Sequence, residues 1–134
     1  MTQVIIFTNE AGGVSVCAPT GELLIEAVQA KDTPDGSLIV DVDSLPNQYN
    51  DFFDAWELIN NTVEVSLTKA KEITKNRLRV DRAPLLAAQD VLFQRAQETG
   101  ADTTAIIAEK NRLRDITLLA DSATTLEELR ELAC

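Results

Sequence analysis

From residue 69 to residue 99 the chain carries no glycine and is rich in good helix formers. No other feature constrains the fold as much, because so long a run predicts a helix of eight turns or more. Thr68 is placed to cap it. Ile73, Leu78, Leu85, Leu92 and Ala96 recur at spacings compatible with one apolar stripe. Pro84 interrupts the run, and inside a helix it removes one hydrogen bond, so a kink or a break near residues 80–83 is expected. Gly100 suits a left-handed position just past the helix end. Asp102 or Thr103 then caps a second helix to about Leu119, with Ala105, Ile106, Leu113, Ile116 and Leu119 inward. Two apolar stripes and a short connection predict an antiparallel helical hairpin. Thr124 with Glu127, and Thr125 with Glu128, form two overlapping capping boxes. They open a last short helix through Leu132, with Leu126, Leu129 and Leu132 on one side.

The first half reads differently. Val4 to Phe7 and Val14 to Cys17 are strand-like runs around an Asn/Gly-rich connection, which predicts a β-hairpin with glycines at positive φ. Pro19 ends the second strand, and Thr20 is a candidate cap for a helix over 22–30 whose apolar face is Leu23, Leu24, Ala27 and Val28. Pro34 and Gly36 make a turn, and residues 38–42 a third strand. The aromatic stretch 52–58 reads as a helical turn closing a small core, and residues 63–67 as the fourth strand. The fold class is α+β: an acidic, β-rich head over 1–67, then a helical hairpin with a short C-terminal helix over 68–134. Unbroken, a helix over 69–99 is ~46 Å long, against a diameter of ~36 Å for a compact globule of this size, so the hairpin is expected to project and to need a partner.

Charge divides the chain along the same line. The net charge is −10, from 12 basic and 22 acidic residues. Residues 1–68 hold eleven acids against Lys31 alone, whereas residues 69–134 hold eleven of each sign. So acidic a chain argues against nucleic acid and membrane surfaces as partners. There is no histidine, which removes Ser-His-Asp and Cys-His nucleophile systems and imidazole metal ligands. Cys17 and Cys134 form no CxxC pair, and Gly12-Gly13 is no phosphate loop. No apolar run approaches a membrane span, and the start has no signal-peptide pattern, so synthesis in a reducing cytoplasm is expected. These absences predict no enzyme, no cofactor and no metal.

Two clusters remain. Lys69, Lys71, Lys75, Arg77, Arg79 and Arg82 are the densest run of positive charge. They read either as a solvated helix face with local ion pairs or as a protein-docking surface for an acidic neighbour. Nucleic-acid binding is disfavoured because no aromatic residue is interleaved. Asp41 and Asp43, alternate on a strand, with Asp51 and Asp54, have the donor chemistry of a hard-cation site but no EF-hand spacing, and an acidic solvated edge is the favoured reading.

Several segments resemble a family of small tailed-phage proteins. They are Ile5-Ile6-Phe7-Thr8-Asn9-Glu10-Ala11-Gly12-Gly13-Val14-Ser15-Val16, Ala30-Lys31-Asp32-Thr33-Pro34-Asp35-Gly36 and Phe53-Asp54-Ala55-Trp56-Glu57. The likeness continues in Arg79-Val80-Asp81-Arg82-Ala83-Pro84-Leu85-Leu86-Ala87-Ala88-Gln89-Asp90-Val91, in Ala108-Glu109-Lys110-Asn111-Arg112-Leu113-Arg114-Asp115-Ile116 and in Ala123-Thr124-Thr125-Leu126-Glu127-Glu128-Leu129. Such proteins resemble products of phage tail and tail-fibre genes, and the second half is similar to the C-terminal part of tail-fibre assembly proteins. The resemblance implies a structural protein of the virion tail, at the tail tip, baseplate or fibre attachment. The other role it implies is a fibre-assembly chaperone that does not stay in the particle. Either would work by contact with other tail or fibre proteins, in several copies. No catalytic residue is implied.

Overall fold

The computed structural model describes residues 2–134. Its elements are β1 (Gln3–Thr8), β2 (Val14–Cys17), α1 (Ile25–Asp32), β3 (Leu38–Asp41), β4 (Trp56–Ile59), β5 (Thr62–Val65), α2 (Leu67–Thr99), α3 (Thr104–Ser122) and α4 (Leu126–Glu131), with 3-10 segments at Val42–Ser44 and Asn47–Ala55. The fold is α+β, with strands first and a helical hairpin after them. Two compact units are present, Met1–Lys69 and Ala70–Cys134. They are described separately.

In the first unit β1 is the centre of a three-stranded antiparallel sheet ordered β2-β1-β3. The register sets Ile6 against Val16 and Leu38, and Val4 against Val40. Strand alternation therefore puts Val4 and Ile6 on one face and Ile5 on the other. Val4, Ile6, Val14, Leu45, Trp56 and Val63 form the buried core, with Leu58 and Val65 packed against it. Ile5, fully buried, stands on the opposite face, and α1 lies along β1 with Val28 buried. The β1–β2 connection is held by Asn9, whose Oδ1 accepts from the N–H groups of Ala11 and Gly13 at 3.0 Å each. Gly12 alone of its glycine pair takes a positive φ, +83°.

Three expectations fail here. The first helix starts at Ile25 rather than at residue 22, Leu24 stands at its N-cap without a side-chain hydrogen bond, and Thr20 does not cap it. Gly21, at φ +92°, takes the chain out of helical geometry just where that start was expected. Leu23 and Leu24 are accordingly 53% and 77% exposed, and only Val28 of the anticipated face is buried. Second, the aromatic stretch does not stay helical to residue 58. The 3-10 segment ends at Ala55, and Trp56 to Ile59 is a strand paired with Thr62 to Val65. The connection is a two-residue turn, Asn60 (φ 51°) and Asn61 (φ 65°), the conformation of a type I′ hairpin turn. Trp56 still closes the core, since it is 1% exposed and its indole N–H donates to the Tyr49 carbonyl at 3.2 Å. Phe52 is buried too, whereas Phe53 is half exposed and tilts against Trp56 with ring centroids 4.9 Å apart. Third, Val65 is the last strand residue and Leu67 already opens α2.

In the second unit α2 continues through Pro84 without a break. Proline offers no N–H to the Val80 carbonyl, but Val80 is 73% exposed, so water can take that bond. Ser66, not Thr68, supplies the N-terminal cap: its Oγ accepts from the Lys69 N–H at 3.3 Å. At the other end the Ala101 N–H donates to the Ala96 carbonyl and the Gly100 N–H to the Gln97 carbonyl, with Gly100 at φ +71°. That is a Schellman ending, and it stops α2 where the glycine predicts. Asp102 Oδ1 then accepts from the Thr104 N–H at 3.0 Å and from the Thr104 hydroxyl at 2.7 Å, opening α3.

The inward stripes differ from those expected. In α2 the buried residues are Ala70, Thr74 and Leu78, followed by half-buried Leu86, Phe93 and Ala96. Leu85 and Leu92 are exposed. In α3 Leu113, Ile116 and Ala120 are buried, whereas Ala105 and Leu119 face solvent. At 100° per residue a shift of one position rotates the stripe off the contact line, so neighbours i and i+1 exchange roles. At α4 Thr125 is the N-cap, its Oγ1 accepting from the Glu128 N–H at 3.2 Å, while the Glu128 carboxylate accepts from the Thr124 N–H at 2.9 Å, one residue before the bond of a capping box. Leu129 is then fully buried.

Candidate functional site

The basic run was the candidate, and its six side chains go to different places. Lys69 belongs to the first unit, where its Nζ lies 3.7 Å from Glu57 and donates to the Gly12 carbonyl. Lys71 and Lys75 meet at the end of α3. Lys71 Nζ donates to the Asp121 carbonyl at 3.0 Å, and Lys75 Nζ lies 2.5 Å from Asp121 Oδ1 and 3.4 Å from Glu72. The hydrogen bond from Lys75 to Asp121, with the attraction of that carboxylate, raises the Lys75 ammonium above its ordinary pKa. Arg77 reaches α4, where one nitrogen donates to the carbonyls of Leu129 and Leu132 at 3.1 and 2.8 Å. Positive charge at the open carbonyls of a helix end is favourable. Arg82 donates to the carbonyls of Leu113 and Arg114 at 3.3 and 2.8 Å. Among the described residues Arg79 bonds only to Asn76 Oδ1, on its own helix, at 2.7 Å. Four of the six thus hold α3 and α4 to α2, and the run does not converge on one external patch.

The acidic candidates are arranged otherwise than expected. β3 ends at Asp41, so Asp43 lies in the following 3-10 turn and does not share a strand face with it. Asp41 Oδ1 caps that turn, accepting from the Asp43 N–H at 3.0 Å. A small cleft of about 80 Å³ nearby is lined by Ile6, Val40, Ser44, Leu45 and Asn61 to Val63, and by neither aspartate. Among the described residues no group of three or more Asp, Glu, Cys or His residues is placed to hold a metal ion. No helix among them is long and apolar enough to cross a membrane.

What the sequence reading missed is the outer part of the hairpin. No residue from 79 to 112 is fully buried. The two helices are joined there by Lys110, whose Nζ lies 2.6 Å from Asp90 Oδ1 and 5.0 Å from the centre of the Phe93 ring. On α3 the Arg112 guanidinium grips Glu109 at 2.6 Å, which pulls the Glu109 carboxyl below its ordinary pKa. Large apolar side chains stay in water alongside: Val80, Leu85, Val91 and Leu92 of α2 and Ile107 of α3 are all more than 40% exposed. The signal for this was present, since placing Leu86, Gln89 and Phe93 inward leaves Leu85, Val91 and Leu92 without a place in the stripe.

Comparison with protein-family models, with curated proteins and with solved structures gave no match.

Proposed function

We propose that this chain is a non-enzymatic structural protein of a phage tail, at the tail tip, baseplate or fibre attachment, which acts by docking with other tail or fibre proteins. The observation that carries the reading is the outer hairpin, where residues 79–112 bury no side chain fully yet expose five large apolar ones. Two helices that share so little buried surface gain by covering the remainder against a partner. The likeness of six segments to tailed-phage proteins supports the choice of assembly. The net charge of −10 and the lack of histidine support protein partners and a non-catalytic role.

Mass spectrometry of purified virions tests the proposal, and tail peptides from this chain are the expected result. Detection only in lysate, in complex with a fibre protein, would instead make it an assembly chaperone. Absence from both sinks the tail reading altogether.

A further inference from the structure

At 100° per residue, seven positions in the outer part of α2, between residues 79 and 97, share one arc of about 120°: Asp81, Pro84, Leu85, Ala88, Val91, Leu92 and Arg95. All are exposed, with Leu85 at 42%, Val91 at 48% and Leu92 at 46%. The arc lies beside the inward stripe of Leu86, Phe93 and Ala96 and is distinct from it. Asp81 and Arg95 are the two charged residues of the arc, and neither forms an ion pair among the described residues, as is also true of Glu98 outside it. These two stand at opposite ends of the arc.

The arc is symmetric about Ala88. Asp81 and Arg95 lie two turns away on either side, Pro84 and Leu92 four residues away, Leu85 and Val91 three. A two-fold axis that passes between the two Ala88 residues, perpendicular to both helices, therefore brings Asp81 near Arg95 of the second copy, Leu85 beside Leu92 and Pro84 beside Val91. The small side chain of Ala88 meets itself, where the helices must come closest. A two-fold interface has to be self-complementary, and this sequence is. A parallel pair would oppose Asp81 to Asp81 and set the two acidic N-terminal units, each of net charge −9 from eleven acidic and two basic residues, at the same end. In the antiparallel pair the chains enter α2 from opposite ends, ~60 Å apart.

We propose that α2 carries a self-association face, by which two copies of this chain pair antiparallel about Ala88. The inference rests on the docking reading above and names a second copy as the partner.

Sedimentation equilibrium of the full chain tests it. The expected particle is twice the 14.7 kDa of one chain. Asp81→Arg or Arg95→Asp alone should raise the dissociation constant about tenfold, and the double reversal should restore it to within about twofold. Circular dichroism of each variant verifies that the helices persist. In a Cys17→Ser, Cys134→Ser background, Ala88→Cys should oxidise to a covalent dimer. A single-chain mass at concentrations on the order of 100 μM overturns the proposal, as does a double reversal no better than the singles. A chain that dimerises in solution but is missing from the virion overturns the tail reading and leaves the pairing intact. A chain found in the virion that stays monomeric in solution does the reverse.

Discussion

Arg77 shows how a residue chosen for its charge acts through its hydrogen bonds. Its guanidinium closes the Leu132 carbonyl and adds a second donor to that of Leu129, which also accepts from the Leu132 N–H, so Arg77→Ala leaves the Leu132 carbonyl open and should cost about 1 kcal/mol of unfolding free energy. Hydrogen exchange would show the loss concentrated in α4; uniform exchange would count against it. Lys75 makes a pH-dependent contribution whose sign is fixed by its raised pKa. The folded state holds the proton more tightly than the unfolded one, so the stabilisation is complete below the ordinary lysine value of 10.5 and disappears as pH rises through the raised folded value. Urea unfolding of the protein and of Lys75→Met should therefore differ by a constant amount through neutral pH and converge in strong alkali. A gap unchanged across that range would remove the Asp121 bond as its cause.

At the scale of elements, the turn between β4 and β5 is a local decision with a large consequence. Ile59-Asn60-Asn61-Thr62 carries two residues that tolerate positive φ, flanked by β-branched ones. That is a hairpin signal, and it was masked by the aromatic run before it, whose spacing fits a helix as well as a strand. Asn61→Gly should raise the stability of the first unit by about 0.5 kcal/mol, because glycine suits the second turn position better. Asn60→Val should lower it by about 1–2 kcal/mol, since a β-branched residue resists positive φ. Denaturant titrations followed by Trp56 fluorescence measure both. The long helix was legible from its composition and from Gly100 after it, while its cap was expected two residues late, at Thr68 rather than Ser66. Its inward face was not, because leucines at 78, 85 and 92 keep a seven-residue repeat that drifts about the helix axis. The partner helix uses Leu86 and Phe93 instead, a choice made by the contacts of Asp90 and Phe93 with Lys110.

For the whole molecule, charge and tertiary structure divide the chain almost at the same residue. The unit Met1–Lys69 carries −9, and Ala70–Cys134, with ten basic and eleven acidic residues, carries −1. The one tryptophan, Trp56, lies in the core of the acidic unit, so its emission reports on that unit alone. Self-repulsion there is screened by salt. The melting temperature read from Trp56 should rise from low to physiological ionic strength. A larger shift in the helical signal at far-ultraviolet wavelengths would place the repulsion in the wrong unit. The candidate site was legible only as residue types. Six neighbouring cations are visible in any listing of the chain, yet their partners are mostly carbonyl oxygens between thirty and sixty positions away, which no local pattern specifies.

By itself the sequence determined the α+β class, the hairpin of helices, the turns and helix ends built on Asn9, Gly36, Gly100 and Thr125, and the uneven charge. These follow from backbone preferences and short-range hydrogen bonds, whose partners lie within a few residues. Only the tertiary structure decided that Trp56 opens a strand, that Leu85 and Leu92 face water, and that half of the basic run, Lys71, Arg77 and Arg82, is spent on carbonyls at α3 and α4. Each of these depends on which surface arrives from far along the chain. A side chain's burial is a property of its neighbours in space, and period alone leaves two adjacent faces of a helix equally eligible.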